Sequence, residues 1–171
     1  MNEISIDLPE RFKEKYMYYV SQSPHILGFF GKYRWLSNFW TCKVFFEGLE
    51  YTSAECAYQA AKVVPEKRKE FQAISASGAK KLIKKYFNTE YILDSLEDWN
   101  KIKYEVMCSV VFDKFYRNLD LRQNLVQTKD RYLEEINFWH DNFFGDCICG
   151  KCGLGNNKLG EILMKVRQFW L

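Results

Sequence analysis

Residues 51–63 read Tyr-Thr-Ser-Ala-Glu-Cys-Ala-Tyr-Gln-Ala-Ala-Lys-Val, and they predict the helix at the centre of the fold. Small and apolar residues recur at helical spacing along one side, which is typical of a packed face. Glu55, Gln59 and Lys62 follow one another at intervals of four and three residues. Their carboxylate, amide and ammonium groups therefore project as a polar row from the other side. Such a row can line a binding site.

The start of this helix leaves two roles open for Glu55. The segment Thr52-Ser-Ala-Glu55 matches a capping box, in which the threonine caps the helix and the glutamate reaches back to the amide of the cap. The pattern by itself favours this capping role over a catalytic one, although one carboxylate can serve both.

Length and composition exclude several classes of protein. A chain of 171 residues with 47% hydrophobic and 27% charged residues can bury a core and is too apolar to be disordered. It has no long apolar run, and its first residues lack the pattern of a signal peptide. We therefore expect a cytoplasmic protein of one domain with no membrane partner. The net charge of +3 is too small to indicate general nucleic-acid binding.

Capping residues and periodicity predict the remaining elements. A hairpin is expected over residues 44–51 with Glu47-Gly48 as its turn. The aromatic segment of residues 25–44, which leads into it, is expected to begin as a strand, continue as a loop and lie beside Glu55. Further helices are expected over residues 9–20, 66–74, 76–87 and 98–117, and Asp98 is the expected cap of the helix of residues 98–117. A final helix is expected after Asn156 or Asn157. A strand is expected at residues 132–136.

Positive charge is concentrated after the central helix. Residues 62–85 contain eight lysines and arginines against two glutamates. Lys80, Lys81, Lys84 and Lys85 fall on adjacent helical positions, where they can bind phosphate or nucleic acid. A cluster of this kind is more often a solvated face, and the pattern favours that interpretation.

Lys103 lies on the long helix of residues 98–117, whose apolar residues surround the helical wheel and predict burial on all sides. Its ammonium must then snorkel to solvent, meet an anion, or become partly neutral with a lowered pKa. Snorkelling is the ordinary outcome. A partly neutral lysine can bind a substrate phosphate or attack a sugar carbonyl.

Two segments near the C-terminus have the composition of site loops. Residues 137–146 are too aromatic for an ordinary linker and too rich in Asp and Asn for a core element. Residues 153–160 form a glycine-rich stretch before the last helix, and backbone N–H groups at such a place can bind an anion.

The cysteines pose a separate question. Cys147, Cys149 and Cys152 form a C-x-C-x-x-C pattern, for which His140 is the nearest fourth zinc ligand. Only half of the usual paired spacing is present, so the sequence favours reduced cysteines of an intracellular protein over zinc. We expect no cofactor and assign no metal to the chemistry.

Six separated motifs together carry a resemblance to a known family. They are Phe29-Phe30, Ser37-Asn38-Phe39, the helix with Glu55, Gln59 and Lys62, Trp99 followed by Lys103, Phe144-Gly145, and Gly155-Asn-Asn-Lys-Leu-Gly160. Their order is that of the NADAR superfamily, and the chain resembles its YbiA-like N-glycosidases. The NADAR domain is expected to span residues 26–171, after an N-terminal extension of residues 1–25.

The resemblance implies an α+β fold, a mostly helical single domain with a small β-sheet. It implies a hydrolase that cleaves the C–N bond between a base and ribose phosphate, as in riboflavin-pathway intermediates. Removal of ADP-ribose from guanine in DNA or RNA is one alternative. A non-catalytic module that binds ADP-ribose or an NAD-related ligand is another. The expected partners are accordingly a ribose phosphate or ADP-ribose ligand and, in the first alternative, an ADP-ribosylated nucleic acid.

The resemblance also implies roles for residues. Glu55, Lys103 and Asp141 are the expected catalytic positions. A carboxylate beside the anomeric carbon stabilises an oxocarbenium-like state or activates water, whereas a neutral Lys103 would form a Schiff base with an open-chain sugar. The sequence does not separate these routes. Substrate contacts are expected from Phe30, Arg34, Asn38, Phe39, Gln59, Lys62, Trp99, Phe144, Gly145 and Asn157.

Overall fold

The computed structural model describes residues 25–93 and 96–171. The helix predicted at residues 9–20 lies outside these ranges. The described chain forms two compact units: Asn38–Gln123 is one, and the residues before Asn38 together with Asn124–Leu171 are the other. None of the described helices is long and apolar enough to cross a membrane.

Helical residues far outnumber strand residues, which confirms the predicted α+β class. In chain order the elements are β1 (Ile26–Leu27), a 3-10 helix (Gly31–Leu36), β2 (Val44–Phe46), β3 (Leu49–Tyr51), α1 (Ala54–Ala60), α2 (Pro65–Arg68), a 3-10 helix (Lys69–Phe71), α3 (Ala76–Tyr86), α4 (Leu96–Arg117), α5 (Leu119–Gln127), β4 (Leu133–Glu134), β5 (Ile136–Asn137), β6 (Asp146–Cys147) and α6 (Lys158–Phe169). The strands of the described chain pair as β2 with β3, β1 with β4 and β5 with β6.

The predicted hairpin opens the unit of residues 38–123. Strands β2 and β3 are antiparallel, with Val44 opposite Tyr51. Its turn residues Glu47 and Gly48 both have positive φ, at 45° and 83°. A two-residue hairpin turn of this kind matches the right-handed twist of the strands, and glycine adopts it without strain.

Helix α1 follows the hairpin and is buried along its whole length. Seven residues are too few for a helix that is stable alone, so packing against α3 and α4 must stabilise it. Its cap is Ser53, whose hydroxyl accepts a hydrogen bond from the Cys56 amide at 3.1 Å. The predicted capping box is therefore wrong. Thr52 instead donates to the Ile74 carbonyl at 2.6 Å, and Glu55 is two residues past the cap rather than three.

Helix α3 carries the lysine cluster and begins close to its predicted start. Ser75 caps it by accepting a hydrogen bond from the Gly78 amide at 3.1 Å. Its buried stripe consists of Ala76, Ala79, Ile83 and Tyr86. Lys80, Lys81, Lys84 and Lys85 are exposed on the other side, as expected for a solvated face. The helix predicted at residues 66–74 consists of α2 followed by the second 3-10 helix.

Helix α4 departs from two predictions. It begins at Leu96, so Asp98 lies inside the first turn and accepts a hydrogen bond from Lys101 at 3.0 Å instead of capping the helix. It is also buried on one face only, and Ile102 is 41% exposed. That face consists of Met107, Val110, Val111, Lys114 and Phe115. The fully buried lysine is therefore Lys114, and Lys103 is only half-buried.

The other unit is built around two short parallel sheets. The strand predicted at residues 132–136 consists of β4 and β5, which pair with β1 and β6 respectively. Leu27, Ile136 and Ile148 form a buried cluster. Helix α6 packs against β4, and its buried stripe contains Leu159, Ile162, Leu163 and Val166.

Asn157 joins α6 to the strands of its unit. Its φ of 48° is left-handed, and its buried side chain does not cap the helix. Instead Oδ1 accepts from the Glu135 amide at 3.0 Å, while Nδ2 donates to the Leu133 carbonyl at 2.9 Å and to the Tyr132 hydroxyl at 3.0 Å. These bonds satisfy backbone groups that would otherwise be buried without partners.

We predict that Asn157→Ala lowers the free energy of unfolding by about 2–4 kcal/mol, because it leaves buried backbone groups unpaired. Asn156→Ala is the matched control, since Asn156 is the exposed neighbour of the same residue type. Urea unfolding of both variants measures the difference. Equal stability of the two variants would contradict the bonding role of Asn157.

Candidate active site

The polar row lies on α1 and the turn after it. Gln59 Nε2 donates to Glu55 Oε1 at 2.7 Å, and Lys62 Nζ donates to Gln59 Oε1 at 2.8 Å. Glu55 is 6% and Gln59 5% exposed, so the carboxylate and the amide lie within the unit while the ammonium ends the row. The three side chains form one continuous chain of hydrogen bonds.

Aromatic rings enclose the ammonium end of the row. Lys62 Nζ lies 4.8 Å from the ring centre of Tyr58 and 5.3 Å from that of Trp99. The two rings meet edge to face, with their centres 5.3 Å apart. Lys62 is thus held by an amide oxygen and by aromatic faces, which attract a cation but do not neutralise it.

The pKa of Lys62 is perturbed by its surroundings. Burial lowers the pKa of Lys62 to about 8, against the opposing effect of Glu55 and with smaller contributions from Lys80 and Lys103. The ammonium is therefore charged at neutral pH and loses its proton in the mildly alkaline range. Sequence reasoning missed this because it depends on how deeply the end of α1 is packed.

Two further lysines bring positive charge to this site. Lys103 donates to Asn100 Oδ1 at 2.7 Å on the half-buried side of α4. Lys80 projects from α3 over the ring of Phe39, at 5.1 Å from its centre. The effect of both ammonium groups on the pKa of Lys62 places them within electrostatic range of the row.

Asn38 adds an oriented polar group. Its backbone carbonyl oxygen accepts a hydrogen bond from the Glu55 amide at 3.0 Å, which places this residue of the aromatic segment beside Glu55 as expected. Its side-chain Nδ2 contacts Met107 Sδ at 3.1 Å. Within the described residues, its Oδ1 is a buried oxygen without a hydrogen-bond partner. Such an atom calls for an explanation, and a ligand hydroxyl is one.

This unit therefore brings together Glu55, Gln59, Lys62, Trp99 and Lys103. A buried carboxylate can stabilise a developing positive charge on a sugar or activate a water molecule. The ammonium groups can bind an anion, and the half-buried ring of Trp99 can stack on a base. Lys62, with its lowered pKa, is itself a candidate for forming a Schiff base.

Asp141 belongs to the other unit, where its carboxylate organises a loop. Its Oδ1 accepts hydrogen bonds from the amides of Phe143 and Phe144, both at 3.0 Å. Gly145 follows, and a Cβ there would lie 2.5 Å from both Asn137 Nδ2 and the Glu135 carbonyl oxygen, so the backbone geometry requires glycine. Its expected catalytic role stays a prediction.

Phe30, Arg34 and Phe144 also lie in this unit. Phe30 stacks on Phe138 with ring centres 6.5 Å apart. Phe144 is buried and meets Phe143 edge to face, whereas Arg34 is exposed in the first 3-10 helix. Phe144 thus contributes to packing, and the substrate contacts expected of these residues stay predictions.

The glycine-rich stretch does not present its amides to a ligand. The amides of residues 156–159 donate to the carbonyl oxygens of residues 142–145, and the Gly155 amide donates to Asp146 Oδ1 at 2.8 Å. The N-terminus of α6 is therefore used for packing within the unit. The phosphate-binding interpretation of this loop is wrong.

A carboxyl pair that the sequence did not indicate lies between β4 and β6. Burial, reinforced by the charge of Asp146 and a hydrogen bond with it, raises the pKa of Glu134 to about 7. The two residues are twelve positions apart and meet only through strand packing, so spacing gave no signal. Carboxyl groups with perturbed pKa values are common at functional sites and also occur as structural pairs.

We predict that Glu134→Gln stabilises the protein above pH 7 but not at pH 4. The folded pKa exceeds the unfolded value, so the stabilising contribution of Glu134 is complete below pH 4.5 and is lost as pH rises through 7. Relative to wild type, the Tm of the variant should rise by roughly 2–4 °C at pH 8, the shift expected for about 1 kcal/mol. Exposed Glu66→Gln is the control, and identical pH dependence of both variants would refute the prediction.

Comparison with known proteins places the chain in a family. The NADAR domain model matches residues 22–170. A riboflavin biosynthesis protein of Vibrio vulnificus is 36% identical over 135 residues, which are 78% of this chain and 34% of that protein. The N-glycosidase YbiA of Escherichia coli is 30% identical over 77% of this chain and 78% of its own length. This chain thus spans about a third of the Vibrio protein.

The fold comparison agrees with the sequence comparison. The NMR structure of E. coli YbiA superimposes with a TM-score of 0.70 and 25% identity, covering 86% of each chain. The predicted resemblance to YbiA-like proteins is thereby confirmed, and the expected hydrolase of N-glycosyl compounds agrees with the names of these relatives. The chain belongs to the NADAR domain family.

Proposed function

We propose that this chain hydrolyses the N-glycosidic bond of a phosphorylated N-riboside and releases the base and ribose phosphate. The observation that carries the proposal is the row of Glu55, Gln59 and Lys62, in which a buried carboxylate is joined through an amide to an ammonium of lowered pKa. The N-glycosidase name of YbiA supports the reaction class.

In this reaction the bond between C1 of the ribose and the base nitrogen breaks, and its electron pair leaves with the base. Glu55 stabilises the positive charge that develops on the ribose ring and accepts a proton from the attacking water. The hydroxyl of that water becomes the new group on C1, and the proton that Glu55 accepted passes to the departing base, so that Glu55 ends as a carboxylate again. Gln59 holds Glu55 in place through its 2.7 Å hydrogen bond.

Other side chains of this unit can bind the phosphate, the ribose hydroxyls and the base of the substrate. Lys62, Lys80 and Lys103 supply the positive charge that a phosphate needs. The buried Asn38 Oδ1 can accept a hydrogen bond from a ribose hydroxyl, which would satisfy an atom that has no partner among the described residues. The half-buried ring of Trp99 offers an aromatic face for the base.

The riboflavin biosynthesis relative favours an aminopyrimidine riboside phosphate as the substrate. ADP-ribosylated guanine in nucleic acid is a second candidate, and the exposed lysines of α3 favour it because they could contact a phosphate backbone. Both substrates share the same scissile bond between ribose and base. They differ in what lies beyond the phosphate.

We predict that Glu55→Gln reduces the rate of base release at least about 100-fold while leaving Tm nearly unchanged. The helix cap is Ser53, so the amide replacement does not remove it. Product release is measured by chromatography with the aminopyrimidine riboside phosphate and with an ADP-ribosylated guanine oligonucleotide, which also decides between the two substrates. Glu66→Gln is the matched control because Glu66 is exposed.

Cleavage of either substrate by wild type and by Glu66→Gln, but not by Glu55→Gln, would establish the hydrolase. Full activity of Glu55→Gln would remove Glu55 from the mechanism. If wild type cleaves neither substrate but is stabilised by ADP-ribose, the chain is a binding module instead.

We predict that kcat/KM falls as pH rises through about 8, because Lys62 then loses the charge that binds the phosphate. Lys62→Arg should retain activity and move this decline to higher pH, since arginine keeps its charge. Lys81→Arg, at an exposed position, should keep the wild-type profile. A rate that increases through pH 8 would instead indicate that neutral Lys62 forms a Schiff base.

A further inference from the structure

Four potential metal ligands converge in the loop region around β6. The ligand atoms of His140, Cys147, Cys149 and Cys152 all lie within 4.8 Å of one another. His140 Nδ1 is 3.2 Å from Cys152 Sγ and 3.5 Å from Cys149 Sγ, and the sulfur atoms of Cys149 and Cys152 are 3.5 Å apart. The six cysteines are all free thiols, so no disulfide accounts for this convergence.

The distances and the donor types both fit zinc. With Zn–S bonds of about 2.3 Å and Zn–N bonds of about 2.0–2.1 Å, a tetrahedral site separates its ligand atoms by about 3.5–3.8 Å. The observed separations are 3.2–3.5 Å for the three pairs above and at most 4.8 Å for the others. Zinc binds well to thiolate and imidazole ligands, whereas calcium and magnesium prefer oxygen ligands. Three thiolates and one imidazole therefore favour zinc.

The backbone around Cys149 and Cys152 is folded as a metal-binding turn requires. Gly150 has a φ of 79°, which turns the chain between the two cysteines. The Lys151 amide points at Cys149 Sγ at 3.4 Å. A backbone N–H that donates to sulfur favours the thiolate, the form in which cysteine binds a metal.

Two asparagine side chains position the other two potential ligands, His140 and Cys147. Asn137 is fully buried, and its Oδ1 accepts from the amides on either side of His140, those of Trp139 and Asp141, at 3.2 Å each. Asn142 Oδ1 accepts from the Cys147 amide at 2.9 Å, while its Nδ2 donates to the Gly153 carbonyl at 3.0 Å. The ligand positions are therefore set by the fold before any metal binds.

We propose that His140, Cys147, Cys149 and Cys152 bind one structural zinc ion. Four protein ligands complete a tetrahedral shell and leave no position open for substrate or water, which distinguishes this site from a catalytic zinc. The ion links both ends of the segment 140–152, which contains Asp141 and the carbonyl groups that pair with the start of α6. It therefore ties the two ends of this loop together.

The test measures metal in the 171-residue chain purified without chelators. Elemental analysis should find one zinc per chain in wild type, and Cys149→Ser and Cys152→Ser should lose most of it. Cys42→Ser and Cys108→Ser are the matched controls, because these cysteines lie outside the cluster; both should keep one zinc. Exchange with cobalt(II) should produce the strong visible absorption of a tetrahedral thiolate site in wild type and in the controls.

A second measurement remains informative if a cysteine variant does not fold. In native wild type, alkylation should spare Cys147, Cys149 and Cys152 until a chelator is added, as read by mass spectrometry. His140→Ala retains three thiolates and should bind cobalt at least about tenfold more weakly. The proposal is overturned if reduced wild type retains no zinc and binds no cobalt, or if Cys149→Ser binds as much metal as Cys108→Ser does.

Discussion

The burial of α1 on every side is the constraint on which the candidate site depends. A polar side chain in such a place must find a hydrogen-bond partner within the protein. Gln59 meets this requirement for its neighbours by using both ends of its amide, since its nitrogen donates to Glu55 and its oxygen accepts from Lys62. The carboxylate on one side and the ammonium on the other leave the amide only one favourable orientation. The row is thus ordered before any substrate is present.

The same burial sets the electrostatics of Lys62. Desolvation is the largest effect on its pKa, and the charge of Glu55 offsets only part of it. The aromatic faces of Tyr58 and Trp99 stabilise the cation without supplying a negative charge. A bound phosphate would supply that charge and raise the pKa again, so binding of an anion and retention of the Lys62 proton favour each other.

Local patterns in the sequence identified the helices and turns, but they did not always identify which of two neighbouring residues makes the decisive hydrogen bond. The Glu47-Gly48 turn and the polar row of α1 follow from rules over a few positions, and both occur as expected. The capping prediction selected Thr52 one residue before the true cap, Ser53, because adjacent hydroxyl residues match the same motif. Only the bond of Thr52 to the distant Ile74 carbonyl decides between them.

Lys62, Lys103 and Lys114 show more clearly what helical periodicity cannot predict. Helical periodicity marked Lys103 as buried, yet the fully buried lysine of α4 is Lys114, and Lys62 at the end of α1 is a lysine with a lowered pKa. Periodicity states which residues share a face; it does not state which face another element covers. The apolar residues of α4 lie on both sides, so the wheel could not show that Ile102 is exposed.

Spacing rules give the cysteine cluster little weight for a related reason. Sequence rules for zinc look for two closely spaced ligand pairs, and this chain has only the pair Cys149 and Cys152. The other two ligands come together through the parallel pairing of β5 and β6, in which Asn137 lies opposite Cys147. Because Asn137 also orients His140, one strand register places both ligands at once. A register shift of one residue would turn Cys147 to the opposite face of the sheet, so pairing of the strands and assembly of the four ligands depend on each other.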